Sequence, residues 1–393
     1  MPGPLASLRV LDFSTLLPGP YATMVLADLG AEVVRVEAPH RPDLMRLAPP
    51  YVGDLSAGHA LVNRSKRSFA LDLKHPEAPS IIKRLIHRYD IVIEGHRPGV
   101  MDRLGVGYEA LSAEVSGLIY CAVTGYGQTG PYRDRAGHDL NYLALSGILS
   151  HVGRVETGPV PPGVQVADVG GGSLGSVIGI LAAVVHRDLT GEGQRVDISM
   201  LDATVALDAL AAAAALAGGK TPGYETEALN GGSFYDVYRT RDDRYLSVGS
   251  LEPKFWIGFC KAIGRPDLVD FGYNQDRKVQ ASLKAALRQA IAEKTLAEWT
   301  DVFRDLDVCV EPVLTVEETA EHPQIRARNM IVEVPCPDGT MHRQVGSPFR
   351  FSRTAPSYRH IGSPKGAHTE EVLAEAGFEA DEIEKLAKAE AFG

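Results

Sequence analysis

The sequence predicts an α/β protein: a large domain built on a parallel sheet, with a smaller α+β domain inserted after about residue 220. Short runs of branched residues alternate with amphipathic helical stretches through the first half. A Gly-, Pro- and Glu-rich segment at 218–232 then breaks that rhythm, and a hairpin pattern followed by closely spaced helices takes over. The expected division is 1–220 for the large domain, 221–325 for the smaller one, and 326–393 for segments returning to the large domain. With 393 residues, 45% hydrophobic and 23% charged, the chain has the composition of ordinary globular proteins, which excludes collagen-like, coiled-coil and disordered classes.

Residues 8–13 (LRVLDF) form the first strand. SxxLPGP turns the chain into YATMVLADLG, whose apolar spacing reads as a helix ended by Gly30, and residues 32–36 supply the next strand. This unit has the rhythm of half a nucleotide fold, but its turn lacks the G-x-G-x-x-G that lets backbone approach a pyrophosphate. Further strands are SFALDL, DIVIEG and LIYCAV, with a helix near 78–87. LIYCAV leads into TGYGQTGPYRDRAGHD, a polar loop of 16 residues. Loops that long inside an α/β unit are usually functional or mobile.

Residues 166–187 (VADVGGGSLGSVIGILAAVVHR) read as a helix capped by Asp168, with Gly171, Gly172, Gly175 and Gly179 on a small-residue face. Each interior glycine costs a helix about 0.5–1 kcal/mol, so the stripe implies close approach by backbone or ligand, and packing alone is enough to explain it. QRVDIS is a strand, and an Ala-rich helix runs on to about Ala217. Beyond the linker, SFYDVYRTRDDRYLSVGS is a hairpin turning at TRDD. Helices near 253–263, 276–292 and 295–305 follow, then the strand CVEPVL and two surface helices in the tail.

Forty Lys and Arg against 50 Asp and Glu give a net charge of −10, which argues against a nucleic-acid partner. From Arg35 to Arg97, however, 11 basic residues face 7 acidic ones, a local excess suited to a small polyanion. The four cysteines are widely spaced, with neither metal-site nor disulfide-framework spacing, so a cytoplasmic protein with reduced thiols and no metal is expected. The most apolar stretch, 205–217, is 13 residues long and contains Asp208, too short to span a bilayer.

His138, ending the long loop in Gly-His-Asp, is the first candidate for chemistry, because imidazole exchanges protons near neutral pH and the adjacent Asp139 can orient it. Asp168 is the second, at a helix start where a carboxylate meets backbone N–H groups that can also stabilise an oxyanion. An ordinary capping role competes with that reading. Glu252 precedes Pro253 at another helix start, and Gly231 and Gly232 form a flexible edge or a simple linker. Arg35, Lys66, Arg67 and Arg97 lie at successive strand boundaries, where basic side chains suit phosphate.

The motifs LRVLDFSTLLPGPYATMVLADLGAEVVRVE, RSKRSFALDLK, RPGVMDRLG, TGYGQTGPY, GHDLNYLALSG, VADVGGG and GGSFYDVYRTRDDRYLSVGSLEPKFW, in this order, resemble the family III coenzyme A transferases (CaiB/BaiF) and their racemase branch. The resemblance implies a Rossmann-like CoA-binding large domain, an interlocked homodimer, and an acyl-CoA thioester as substrate without metal or redox cofactor. In racemase-like members the histidine of GHD matches His138, the aspartate of V-A-D matches Asp168, and the glutamate of the E-P segment matches Glu252. The histidine with its supporting carboxylates then works on one face of the alpha carbon and the aspartate on the other. In transferase-like members the residue matching Asp168 is a nucleophile that forms covalent intermediates. His138 and the short NGGS segment depart from the transferase pattern, so 2-methylacyl-CoA epimerisation is the expected activity, with acyl-CoA:carboxylate CoA transfer as the alternative.

Overall fold

The computed structural model describes residues 2–393, which pack as two compact units. The first takes its residues from 2–146, 163–207 and 324–393, and the second from 147–162 and 208–323. The chain therefore divides at Leu207/Asp208 rather than near 220, and residues 147–162 belong with the second unit. The expected Ala-rich helix is two helices, Met200–Leu207 and Ala209–Leu216. Asp208 leaves helical geometry between them and pairs with His151 Nε2 at 3.1 Å, so a tertiary contact wins over the helix propensity of the alanines.

Six parallel strands form the first unit's sheet: β1 (Arg9–Asp12), β2 (Glu32–Glu37), β3 (Arg67–Ala70), β4 (Ile91–Glu94), β5 (Ile119–Thr124) and β6 (Arg195–Ser199). Their spatial order is β6-β5-β4-β1-β2-β3, the doubly wound order whose topological switch point falls between β1 and β4. Alternation splits the strand residues between two faces. Leu11, Val34, Phe69, Val92 and Tyr120 pack with the helix Ala78–Ile86 and with Val372 and Leu373 of the tail. Val10, Val33, Ile91, Ile119 and Cys121 pack with helix α1 (Pro18–Asp28) and with Val177 and Ile180 of the long Gly-bearing helix.

That long helix begins as a π-helical segment, Val166–Ser173, and continues as α2 (Leu174–Thr190). The glycine stripe serves packing. A Cβ on Gly179 would lie 2.8 Å from Val196 on β6, one on Gly171 3.0 Å from Ala203, and one on Gly172 3.0 Å from Met200. By length and composition the run Val166–Thr190 also suffices to cross a membrane, a longer apolar segment than residues 205–217.

The second unit holds an antiparallel sheet of Asp236–Arg239, Tyr245–Val248 and Val310–Pro312, covered by the helices Pro253–Ala262, Arg277–Ile291 and Leu296–Phe303. Its core is aromatic, with Phe234 stacked on Trp256 at 4.1 Å and Trp299 on Phe303 at 5.6 Å. Arg154, Glu225, Asp236 and Lys284 form a half-buried charge network that ties residues 147–162 into this unit.

The first unit buries charge as well. Arg64, fully buried, donates from Nε to Asp28 at 2.9 Å and from Nη2 at 2.6 Å, and from Nη1 to the carbonyl of Val345 at 2.6 Å. Removing one partner leaves an unpaired buried charge, at a cost of about 3–5 kcal/mol. Arg64→Ala should therefore lower the urea midpoint of the first unit. Both tryptophans lie in the second unit, so far-UV circular dichroism is the measurement; an unchanged midpoint would show that Asp28 is stabilised without Arg64.

Candidate active site

The site is built where two helix starts meet in the first unit. Helix α3 (Asp139–Leu145) begins at His138, whose extended backbone makes it the N-cap, and whose N–H donates to the Asn141 side chain at 3.0 Å. The imidazole itself is exposed. One turn along, Tyr142 is buried and its hydroxyl donates to the carbonyl of Gly137 at 2.7 Å. This ring requires two glycines of the loop: a Cβ on Gly125 would lie 2.4 Å from the Tyr142 hydroxyl, and one on Gly137 2.7 Å from the ring. Tyr126 packs edge-on against Tyr142 at 5.2 Å.

The second start is that of the π-helical segment. Asp168 does not cap it, contrary to the sequence expectation. The carboxylate of Asp139 does, accepting at Oδ1 from the N–H of Ala167 at 2.6 Å and of Asp168 at 3.0 Å. The segment is held below by buried Ser173, whose hydroxyl lies 2.7 Å from the Pro18 carbonyl and 3.0 Å from that of Asp168. With their N–H groups engaged by Asp139, Ala167 and Asp168 do not supply the expected oxyanion donors. Asp139 also forms no hydrogen bond to the His138 ring among the described residues, so its expected orienting contact is replaced by the cap.

Burial pushes the Asp168 carboxyl up to about 6, the negative charge of Asp139 adds to the rise, and His138 opposes it. Burial also raises the Tyr142 phenol, with Tyr126, Asp168 and Asp139 contributing. His138, Asp139 and Asp168 are therefore electrostatic neighbours, and Tyr142 is a fourth group that the sequence reading passed over. Its i+4 spacing from His138 on a helix was the available signal.

Glu252 lies in the second unit, exposed at the N-cap of Pro253–Ala262; burial raises the phenol of Tyr273 and the thiol of Cys309, and the charge of Glu252 adds to both.

Three of the four expected phosphate contacts are occupied internally. Arg35 is buried against Asp43, with Glu37 at 3.6 Å and His59 Nε2 at 3.1 Å. Lys66 is buried among the Pro20 carbonyl at 2.8 Å, Asn63 at 3.1 Å and Asp12 at 3.4 Å, and burial pushes its pKa down to about 7. Arg67 begins β3, at the amino edge of the sheet away from the crevice of an α/β fold, and binds Glu32, Glu371 and Glu375. Arg97 alone of the four is exposed and, among the described residues, without a side-chain partner. It follows β4 at the switch point, beside His96, whose pKa is lowered by burial and by the charge of Arg41. Arg41, exposed beyond β2, is a cation the sequence reading did not select. Among the described residues, no group of three or more His, Cys, Asp or Glu side chains is arranged to hold a metal.

Relatives of known name resemble the whole chain. It is 38% identical over 390 residues to human alpha-methylacyl-CoA racemase, covering 97% of this chain and 96% of that protein. It is 35% identical to the acetyl-CoA:oxalate CoA-transferase of Acetobacter aceti, covering 92% and 93%. A crystal structure of a CAIB/BAIF family protein from Brucella suis superposes with a TM-score of 0.83 at 29% identity, covering 96% of this chain and all of that one. The family model for CoA-transferase family III matches residues 5–369, a span that contains both helix starts and every strand of the sheet, and the chain belongs to that family.

Proposed function

We propose that this family III enzyme acts on acyl-CoA thioesters as a 2-methylacyl-CoA racemase. The observation that carries the reading is the placement of an exposed imidazole, His138, and a half-buried carboxylate raised to about 6, Asp168, on two helix starts joined by Asp139. Epimerisation needs one group to take the alpha proton and another to deliver a proton to the opposite face. As the C–H bond breaks, its electron pair moves to the thioester oxygen. That pair returns to the carbon as the second group gives up its proton, leaving the two groups with exchanged protonation.

His138 and Asp168 fill these roles. Arg97 and Arg41, beyond the carboxyl ends of β4 and β2, are suited to the phosphates of CoA. The alternative, CoA transfer to a carboxylate with Asp168 as nucleophile, draws on the relatives named as transferases. A homodimer belongs to the same proposal. On α2, Ile178, Ala182, Val185 and Leu189 make an exposed apolar stripe at helical spacing, while Val177, Ile180 and Ala183 are buried on the other side. A helix that is apolar all round is one that belongs inside something larger.

Either pure epimer of a 2-methylacyl-CoA should approach a mixture in D₂O and gain one alpha deuterium. His138→Ala and Asp168→Asn should each slow this by about 10²–10⁴-fold. Rapid CoA exchange with a free carboxylic acid, without alpha deuterium, would assign the transferase reaction instead. If ionised Asp168 is the base, kcat/KM for the epimer whose proton it removes should fall as pH drops below about 6, because its conjugate acid then predominates. A profile flat from pH 5 to 7 would remove it from that role. Ile178→Glu with Val185→Glu should convert a dimer to a monomer in sedimentation velocity. If the wild type sediments as a monomer but floats with liposomes, the stripe serves a membrane.

A further inference from the structure

Building on that reading, we propose that Asp139 is the positioning residue of Asp168: its carboxylate fixes the π-helical segment and thereby the place of the reacting carboxylate, and it does not act through His138. One carboxylate oxygen accepts two of the N–H groups in the segment's first turn, those of Ala167 and Asp168, at 2.6 Å and 3.0 Å. A helix start has orphan donors, and anchoring two of them on a side chain from another helix ties the two helices together at that point. Because Asp139 is the residue after His138, the same bond also sets the separation of the two reacting groups.

The opposite end of the segment is fixed independently. Ser173 reaches the Pro18 and Asp168 carbonyls, and Gly171 and Gly172 allow Ala203 and Met200 to close against it. With the rear of the segment packed and its front hung from one carboxylate, Asp139 is the contact through which Asp168 can be displaced without opening the core. Misplacing a reacting group by about 1 Å costs on the order of 10²-fold in rate.

The position has an electrostatic consequence. Asp139 and His138 on α3 are the charged groups that bear on Asp168, the first raising its pKa and the second lowering it, and Tyr142 on the same helix feels Asp168 in return. The other packed elements place their charges elsewhere. Asp28 on α1 is paired with Arg64, His186, Arg187 and Asp188 end α2, Arg195 and Asp197 lie on β6, and Asp202 on helix Met200–Leu207 is exposed; Tyr21 on α1 responds to Arg64 and Asp28. Removing the Asp139 charge while keeping an acceptor therefore separates placement from charge.

Two variants make that separation. Asp139→Asn keeps a carbonyl oxygen for the two N–H groups, whereas Asp139→Ala removes it. Circular dichroism and thermal melting would first confirm that each is folded. The Ala variant should lose about 10²-fold in kcat with little change in KM, and the Asn variant should recover most of that loss. In both, the Asp168 carboxyl, followed by ¹³C NMR in the enzyme without substrate, should titrate below its wild-type midpoint. This titration does not depend on which reaction the enzyme performs. If the wild type transfers CoA rather than exchanging alpha hydrogen, the same kcat comparison is made on transfer. An unshifted Asp168 midpoint in both variants, or equal kcat losses in Ala and Asn accompanied by a shift of the His138 ring resonances instead, would overturn the proposal.

Discussion

The close seating of the Val166–Thr190 helix on β6 and on the following helix is the constraint from which the rest of the first unit takes its form. Gly179 lets the helix meet Val196, and Gly171 and Gly172 let its π-helical start meet Ala203, Met200 and Pro18. Any side chain at these positions would lift the start of the helix off its support, and Asp168 is part of that start. The helix-propensity cost of about 0.5–1 kcal/mol per glycine is thus offset by a fixed location for one carboxylate. The π-helical winding belongs with this. Such segments leave the regular i→i−4 ladder and recur at functional sites, since they present groups that an α-helix would direct differently.

Much of the architecture was legible from residue pattern. The alternation LRVLDF, YATMVLADLG, EVVRV anticipated β1, α1 and β2, because buried parallel strands are short branched runs and the helix between them ends at a glycine, here Gly30 with positive φ. The break at Asp208 was not legible, since the other ten residues at 207–217 are all alanine or leucine, with strong helix propensity, and only the distant His151 identifies where the chain departs. The site divides in the same manner. His138 and Asp168 announce themselves by residue type beside glycine, whereas the Asp139 cap is a contact across 28 and 29 positions that no local spacing encodes.

The basic residues show why charge in a sequence is weaker evidence than charge at a surface. Arg35, Lys66 and Arg67 occur in just the region where the local excess of Lys and Arg suggests a polyanion, yet each has carboxylates of this chain within ion-pairing distance. Those carboxylates, Asp12, Asp43, Glu32 and the tail's Glu371 and Glu375, are dispersed along the sequence and cancel in space what a linear count leaves as an excess. Burying such pairs is costly unless the geometry satisfies the remaining hydrogen-bonding groups. Lys66 illustrates the balance: burial lowers its pKa to about 7 even though Asp12 opposes the shift. What remains for solvent at the switch point is Arg97, with Arg41 nearby, and both lie outside the buried network.

The carboxylates of the first unit pull its pH dependence in opposite directions, and the sign follows from each environment. Glu37 is held down to about 2 by Arg46, Arg35 and Ser68 against the opposing effect of burial, so its contribution to stability is present above its unfolded pKa near 4.5 and is lost as pH falls through about 2. Asp168, raised from 3.8 to about 6, does the reverse: its favourable contribution is complete below about 4 and is gone once pH has passed about 6. Glu94, raised by burial to about 7, behaves likewise. At neutral pH the fold therefore carries Asp168 ionised in a setting that favours its protonated form, next to Asp139, whose own charge worsens that setting while its hydrogen bonds hold the segment in place. A carboxylate kept in this condition is a stronger base than one in water, which is useful for abstracting a proton from carbon and of no benefit to folding. The two glycine-bearing contacts and the Ser173 bond hold the segment despite it.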